Sequence, residues 1–134
     1  HGTWSVADVL APAIAYARDG FPLIPRAVQA VYAVQDLFKA HWPSSAKTWL
    51  PDGKVPAPGR LFCLPQLAST YERLVREAQI EGPGRTAEIE AAISVWYRGF
   101  VAKEVDLYYR TEKVHDTSGE THGGLLRYEL ECNS

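Results

Sequence analysis

The stretch SVADVLAPAIAYARDG, residues 5–20, decides the fold class of this chain. Ser5 is a good helix N-cap, and Asp8 follows where its carboxylate can complete a capping box. Apolar residues then recur on one helical face, which predicts an amphipathic helix. They are Val6, Val9, Leu10, Ala13, Ile14 and Ala17. Pro12 predicts a kink or a second helix start, because proline lacks the backbone N–H donor, and Gly20 ends the helix.

A second helix is predicted from Pro25, which suits the first helical position, to His41. Apolar residues surround much of this helix, so we expect it to be the most buried one. They are Val28, Val31, Tyr32, Val34, Leu37 and Phe38. Residues 5–41 are therefore predicted to form a helical pair.

Helical periodicity is lost in residues 42–65, where prolines and glycines recur throughout. The sequence Pro-Asp-Gly at 51–53 predicts a turn, because these residue types favour turn conformations. It lies between two short extended pieces, Thr48–Leu50 and Lys54–Val55. We expect this segment to be a loop with one small hairpin.

The helical pattern returns in residues 66–112, which predict three more helices. Gly82 ends the first of them, Thr86 can cap the second, and Gly99 separates the second from the third. Residues 113–134 are polar and contain glycine, which predicts a loop and a tail.

These segments predict a mainly α protein of about five helices, with a Pro/Gly-rich loop and a small β-hairpin. We expect a single helical domain or fragment over residues 1–134, because this length allows one modest core. The chain is 46% hydrophobic and 22% charged, with four Trp, seven Tyr and four Phe. Intrinsic disorder needs fewer aromatic residues and more net charge, so the chain should pack.

Charge and hydropathy exclude several classes of partner. With a net charge of −2, the chain lacks the excess of positive charge that binds a phosphate backbone, so no nucleic acid partner is expected. The longest apolar run, Val9–Ala17, is shorter than the about 20 residues of a membrane helix. No basic region precedes it, as a signal peptide would require. We expect a soluble chain with no membrane span or targeting signal, and its localisation stays unknown.

Two carboxylates can catalyse hydrolysis when both face the same substrate bond. Glu88 with Glu90 forms one such pair on a predicted helix, and Glu104 with Asp106 forms another. Residues two apart on a helix point in different directions, so neither pair can share a substrate. A solvated helix face is the favoured interpretation of both pairs.

Residues 115–122 combine two imidazoles and two carboxylates, which can bind a metal ion. They are His115, Asp116, Glu120 and His122. Their spacing matches none of the usual zinc patterns, so a surface turn is favoured. Cys63 and Cys132 match no metal knuckle, redox motif or disulfide framework, so two free thiols, one of them buried, are favoured.

Other catalytic signals are absent from the sequence. No GxSxG elbow occurs, and Gly82–Arg85 lacks the GK[ST] ending of a phosphate loop. Several aromatic residues could stack a sugar or a base, but packing is the favoured interpretation for most of them. They are Trp42, Trp49, Trp96, Tyr108 and Tyr109. The sequence therefore assigns no catalytic, cofactor-binding or metal-binding residue, and no cofactor.

Short motifs follow one another along nearly the whole chain. They are Leu10–Ile14 with Ala17, Gly20–Pro22, Leu50–Gly53 with Pro56 and Gly59, Pro65 to Leu74, Tyr97–Gly99 and Gly123–Leu126. Their order and spacing resemble the large-subunit helical region of the γ-glutamyltransferase (γ-glutamyltranspeptidase) family. Residues 114–122 look more like the branch with cephalosporin-acylase-like members. Leu64, Arg127 and Glu131–Ser134 depart from the family pattern.

The resemblance implies the helical part of an N-terminal nucleophile hydrolase of αββα architecture. Such a precursor cuts itself, and a threonine becomes the first residue of a small subunit. Its α-amine acts as base for its own hydroxyl, which attacks a γ-glutamyl amide and forms an acyl-enzyme. Water or an amine then takes the acyl group. The family's nucleophile and substrate-binding segments lie outside the match, so this chain should not be catalytic alone.

The chain starts at His1 and contains no methionine, so we expect a piece cut from a longer parent. The expected partners are the remainder of the parent enzyme, with its catalytic sandwich and small subunit, or a second copy of this chain. The apolar faces around Ile14 and Phe38 should then be only partly covered. The alternative hypothesis is an autonomous helical protein-interaction module without enzymatic activity.

Overall fold

A computed structural model describes residues 2–116 and 118–123. Six α-helices and four short strands lie within these ranges. The helices are Val6–Asp19 (α1), Pro25–His41 (α2), Pro43–Trp49 (α3), Pro65–Glu81 (α4), Arg85–Arg98 (α5) and Phe100–Thr111 (α6). The strands are Phe21–Pro22 (β1), Leu61–Phe62 (β2), Lys113–His115 (β3) and Thr121–Gly123 (β4). The predicted mainly α class is confirmed.

The chain divides into two compact units. Unit 1 contains the described residues up to Ile14 and those from Ser69 onward, and unit 2 contains Ala15–Ala68. Each unit has its own set of buried apolar residues. The single helical domain that the sequence suggests over residues 1–134 stays a prediction.

The start of α1 has the predicted capping box. Ser5 Oγ accepts the N–H of Asp8 at 3.1 Å, and the Asp8 carboxylate accepts the N–H of Ser5 at 3.0 Å. The helix continues through Pro12, so the second helix start does not occur. Pro12 lies on an exposed position, where water can bind the Asp8 carbonyl that lacks its helical donor.

The prediction that α2 is the most buried helix is wrong. Val31 is its only buried residue, and Tyr32 beside it is 67% exposed. Other apolar residues of α2, such as Phe38, are half-buried. The pattern correctly indicates apolar surface on several sides of α2, but unit 2 covers only part of that surface.

The core of unit 2 is built around Phe62, which is 4% exposed. Its ring stacks on Trp49 at 5.2 Å and meets the edge of Phe21 at 6.0 Å. Strands β1 and β2 are antiparallel and pair Phe21 with Phe62. The sharp bend before β1 needs a glycine, because Gly20 has a φ of 101° and a Cβ there would lie 3.0 Å from Cys63 Sγ.

Residues 42–65 differ from the predicted loop and hairpin. Pro43–Trp49 form helix α3, so the extended piece expected at Thr48–Leu50 is absent. Pro43 fixes a helical φ at the first position, but the helix has only 7 residues, too few to show clear periodicity. The turn at 51–53 is confirmed, and the strand of this segment, β2, pairs with distant β1.

The three helices predicted for residues 66–112 are present, and unit 1 contains α5, α6 and α4 from Ser69 onward. The turn from α4 to α5 is tight, since a Cβ on Gly82 would clash with the Ala87 backbone. The ring of Tyr71 on α4 stacks on Trp96 of α5 at 6.4 Å. Four apolar side chains are buried within this unit: Leu74, Ala78, Ala91 and Val95.

The small β-hairpin lies after α6, where β3 and β4 pair antiparallel. Val114 pairs with His122, and the turn between the strands is closed by the N–H of Asp116, which donates to the Glu120 carbonyl at 3.0 Å. Arg127, Cys132 and most of the Gly123–Leu126 motif lie outside the described residues.

Candidate functional site

The two carboxylate pairs do not form a common site. Glu90 and Glu104 are exposed, whereas Asp106 is half-buried and pairs with Arg110 at 2.8 Å. The predicted solvated face is wrong for Glu88, which is only 8% exposed. Glu88 lies three and seven residues before Ala91 and Val95, so helical spacing places it on their buried face. That spacing was the sequence signal for its burial.

Asp116 organises the turn of the hairpin. Its carboxylate accepts the Ser118 N–H at 2.7 Å and also the Ser118 hydroxyl. Its carbonyl accepts the Gly119 N–H at 3.3 Å. Among the side chains that the structure describes, which do not include that of His122, no group of three or more His, Cys, Asp or Glu could hold a metal ion. The geometry is that of a surface turn.

Most of the tryptophans take part in internal packing. Trp49 stacks on Phe62, Trp96 stacks on Tyr71, and Trp42 lies 5.8 Å from the Phe38 ring. Tyr108 and Tyr109 meet edge to face. These contacts agree with packing rather than with a ligand-stacking platform. Cys63 is an exposed free thiol next to β2.

Exposed apolar residues on the helices are the main candidate for an interaction surface. None of the residues of α6 is buried, and Val105 and Tyr108 on one face of it are 45% and 44% exposed. On α5, Ile93 and Tyr97 lie one turn apart, and both are more than half exposed. A soluble monomer does not normally leave contiguous apolar faces uncovered. The arrangement therefore suits binding to another polypeptide surface.

The faces around Ile14 and Phe38 behave as the sequence predicts, since both side chains are half-buried. On α1, Val9 and Tyr16 lie on one face at helical spacing and are 60% and 63% exposed. None of the described helices is long and apolar enough to cross a membrane.

The sequence profile described as Gamma-glutamyltranspeptidase matches residues 1–124. The chain belongs to this family. A curated relative, the oxamate amidohydrolase proenzyme of Klebsiella pneumoniae subsp. pneumoniae, is 38% identical over 72 residues. That match covers 54% of this chain and 13% of the relative.

Two solved structures are similar to this family member over most of its length. They are described as "Structure of LmbA2991T421A" and "Structure of LmbA2991HD". Each is 43% identical, with a TM-score of 0.87 over 94% of this chain. The chain spans only 21% of either one, about a fifth of their length.

Proposed function

We propose that these residues form a helical layer of a γ-glutamyltransferase-like N-terminal nucleophile hydrolase and are not catalytic alone. The parent enzyme is the longer polypeptide that contains them. Its proposed activity is cleavage of an amide and transfer of the acyl group to water or to an amine. The proposed substrate is a γ-glutamyl amide. The helical layer supports the catalytic sandwich from outside.

The proposed mechanism places the reacting groups in the remainder of the parent. The precursor cuts itself before a threonine, whose free α-amine then takes the proton of its own hydroxyl. The hydroxyl oxygen attacks the amide carbonyl, and backbone donors stabilise the tetrahedral oxyanion. The amine leaves, and water or a second amine releases the acyl group. We assign no catalytic residue to residues 1–134.

The name of one curated relative supports the amide chemistry. One relative is called an amidohydrolase and a proenzyme, words that describe amide hydrolysis and a precursor in that protein. The family match over residues 1–124 supports the same class of enzyme for the parent. Which amide the parent accepts depends on segments outside this chain.

One observation carries the proposal: helix α6 buries none of its residues although it is strongly apolar on one side. Val105 and Tyr108 hold their apolar surface in water, which costs free energy in proportion to the exposed area. The solved relatives have about five times the length of this chain, which is enough polypeptide to cover that face. The remainder of the parent is therefore the proposed partner.

The test compares the isolated chain with the full-length parent polypeptide. Both are assayed with γ-glutamyl-p-nitroanilide and with oxamate, and self-cleavage is followed by gel and mass spectrometry. We expect no turnover from the isolated chain, and both self-cleavage and amide hydrolysis from the parent. A parent that neither cuts itself nor hydrolyses either amide would favour the autonomous interaction module. Turnover by the isolated chain would contradict both hypotheses.

A further inference from the structure

Glu88 is the one buried charged side chain among the described residues. It lies in the first turn of α5, and only 8% of its surface is exposed to solvent. Its Oε1 atom is buried and has no hydrogen-bond partner. Buried polar atoms nearly always have such a partner, so this oxygen needs an explanation.

The backbone around Glu88 is well fixed. Its N–H donates to the Gly84 carbonyl at 2.8 Å, and the close approach of Gly82 to the backbone of Glu88 leaves no space for a Cβ. Ala91 and Val95 share its buried helical face. The fold of α5 therefore fixes the backbone of Glu88 on the helical face that also carries these buried apolar residues. A simple displacement of the helix would have to break these backbone contacts.

The nearest cation along the helix is already engaged. Arg85 precedes Glu88 by one turn, where an ion pair could form, but its Nε donates to the Trp4 carbonyl at 3.1 Å. The positive end of the α5 dipole favours a carboxylate in the first turn, but only modestly. A buried carboxylate oxygen without a hydrogen-bond donor is costly, so this position leaves a polar atom unsatisfied in the isolated chain.

We propose that Glu88 accepts a cationic side chain, an arginine or a lysine, from the remainder of the parent enzyme. This inference rests on the proposed function, because it needs a parent polypeptide beyond residues 1–134. A carboxylate only accepts hydrogen bonds, and a cation supplies both the donor and the counter-charge. The described residues contain no cluster of metal ligands at Glu88, so a protein side chain suits it better than a metal ion.

The position just beneath the surface suits an interface. Glu88 keeps a small exposed area, so its carboxylate lies just beneath the surface. A long arginine or lysine side chain on the covering polypeptide can then reach it without displacing the helix. The pair would fix the orientation of α5 on the parent, because charged pairs at interfaces set register and exclude wrong partners.

The test uses Glu88→Gln and a matched control, Glu90→Gln, in both the isolated chain and the full-length parent. Glu90 is two residues away on the same helix and exposed. In the isolated chain, Glu88→Gln should raise the melting temperature by about 4 °C, because a neutral amide is less costly to bury. In the parent, it should speed hydrogen exchange in the first turns of α5 about tenfold, because the ion pair is lost. Glu90→Gln should change neither quantity.

Glu88→Met is a second variant, which keeps a similar volume and removes both the charge and the acceptor. It should raise the melting temperature of the isolated chain and speed exchange in the parent, as Glu88→Gln does. If the wild-type parent cuts itself and hydrolyses amides but neither variant speeds exchange in α5, this inference is wrong and the proposed function stands. A lower melting temperature of the isolated chain in both variants would also contradict it. A wild-type parent without activity would refute the proposed function itself.

Discussion

Unit 2 and the α6 end of unit 1 differ in how they cover apolar side chains. In unit 2, Phe62 is 4% exposed between Trp49 and Phe21, and Leu50 is 3% exposed. In α6, none of the residues is buried, although Val105 and Tyr108 form an apolar face. The first region completes its core from its own residues. The second needs a surface from another polypeptide, so the two regions should respond differently to mutation and to assembly.

The largest expected effect comes from Phe62→Ala, which removes the ring at the centre of unit 2. It should lower the free energy of unfolding by about 3–5 kcal/mol, because a large aromatic side chain leaves a cavity behind. Urea unfolding followed by tryptophan fluorescence measures this, since Trp49 stacks on the same ring. The matched variant is Tyr108→Ala on α6, which should lower the free energy of unfolding by no more than about 0.5 kcal/mol. Equal losses from the two variants would remove the contrast between the regions.

The second prediction concerns the bend before β1. Gly20→Ala should cost about 1–2 kcal/mol for the left-handed φ, and more because its Cβ would press on Cys63 Sγ. Gly59→Ala is the control, since Gly59 also has a positive φ of 77° but faces open space. Thermal unfolding should therefore show a larger loss for Gly20→Ala. If the two substitutions lower the melting temperature equally, close packing between Gly20 and β2 does not contribute to stability.

The third prediction is a pH effect on α1. Hydrogen bonds from the Ser5 side chain and backbone lower the pKa of Asp8 below its ordinary value. A lowered folded-state pKa means that this carboxylate stabilises the helix at pH above its unfolded pKa, and that the contribution is lost as pH falls through the lowered pKa. NMR titration of the Ser5 amide should report this loss under acid conditions. Asp8→Asn should abolish the pH dependence of the Ser5 amide chemical shift. If the pH dependence persists in this variant, another titrating group causes it.

The smallest change in stability is expected from charges placed on α6. Val105→Lys with Tyr108→Lys should alter the free energy of unfolding by less than about 1 kcal/mol, because both positions are exposed. The isolated wild-type chain should self-associate through such faces, and the double variant should sediment closer to a monomer. Lys103→Glu is the control, because Lys103 is exposed and lies on the opposite side of α6 from Val105 and Tyr108. An unchanged sedimentation profile of the double variant would exclude this face from self-association.

Much of this fold could be predicted from local sequence signals. The capping box at Ser5, the proline at position 25 and the glycine at position 82 mark helix ends that the structure confirms. These signals depend only on neighbouring residues, so one sequence suffices to find them. The pairing of β1 with β2 depends on two strands of two residues each, far apart in the chain, and no local pattern indicates it.

Burial was harder to predict than secondary structure. Apolar residues all around α2 indicated a deeply buried helix, but Tyr32 is 67% exposed because unit 2 has nothing to cover it. The charge of Glu88 favours a solvated face, because charged residues are usually exposed, although its spacing to Ala91 indicates a buried one. The error on α2 arises because burial depends on partners that a single segment does not contain. The error on Glu88 arises because its charge is given more weight than its helical spacing.

Hydrogen–deuterium exchange of the isolated chain and of the full-length parent under the same conditions tests whether the parent covers α6. We expect amides of α6 to exchange at least about tenfold more slowly in the parent, where the apolar face of this helix is covered. Amides around Phe62 in unit 2 should exchange at similar rates in both proteins. If α6 is equally protected in the isolated chain and in the parent, its exposed face is not where the remainder of the enzyme binds.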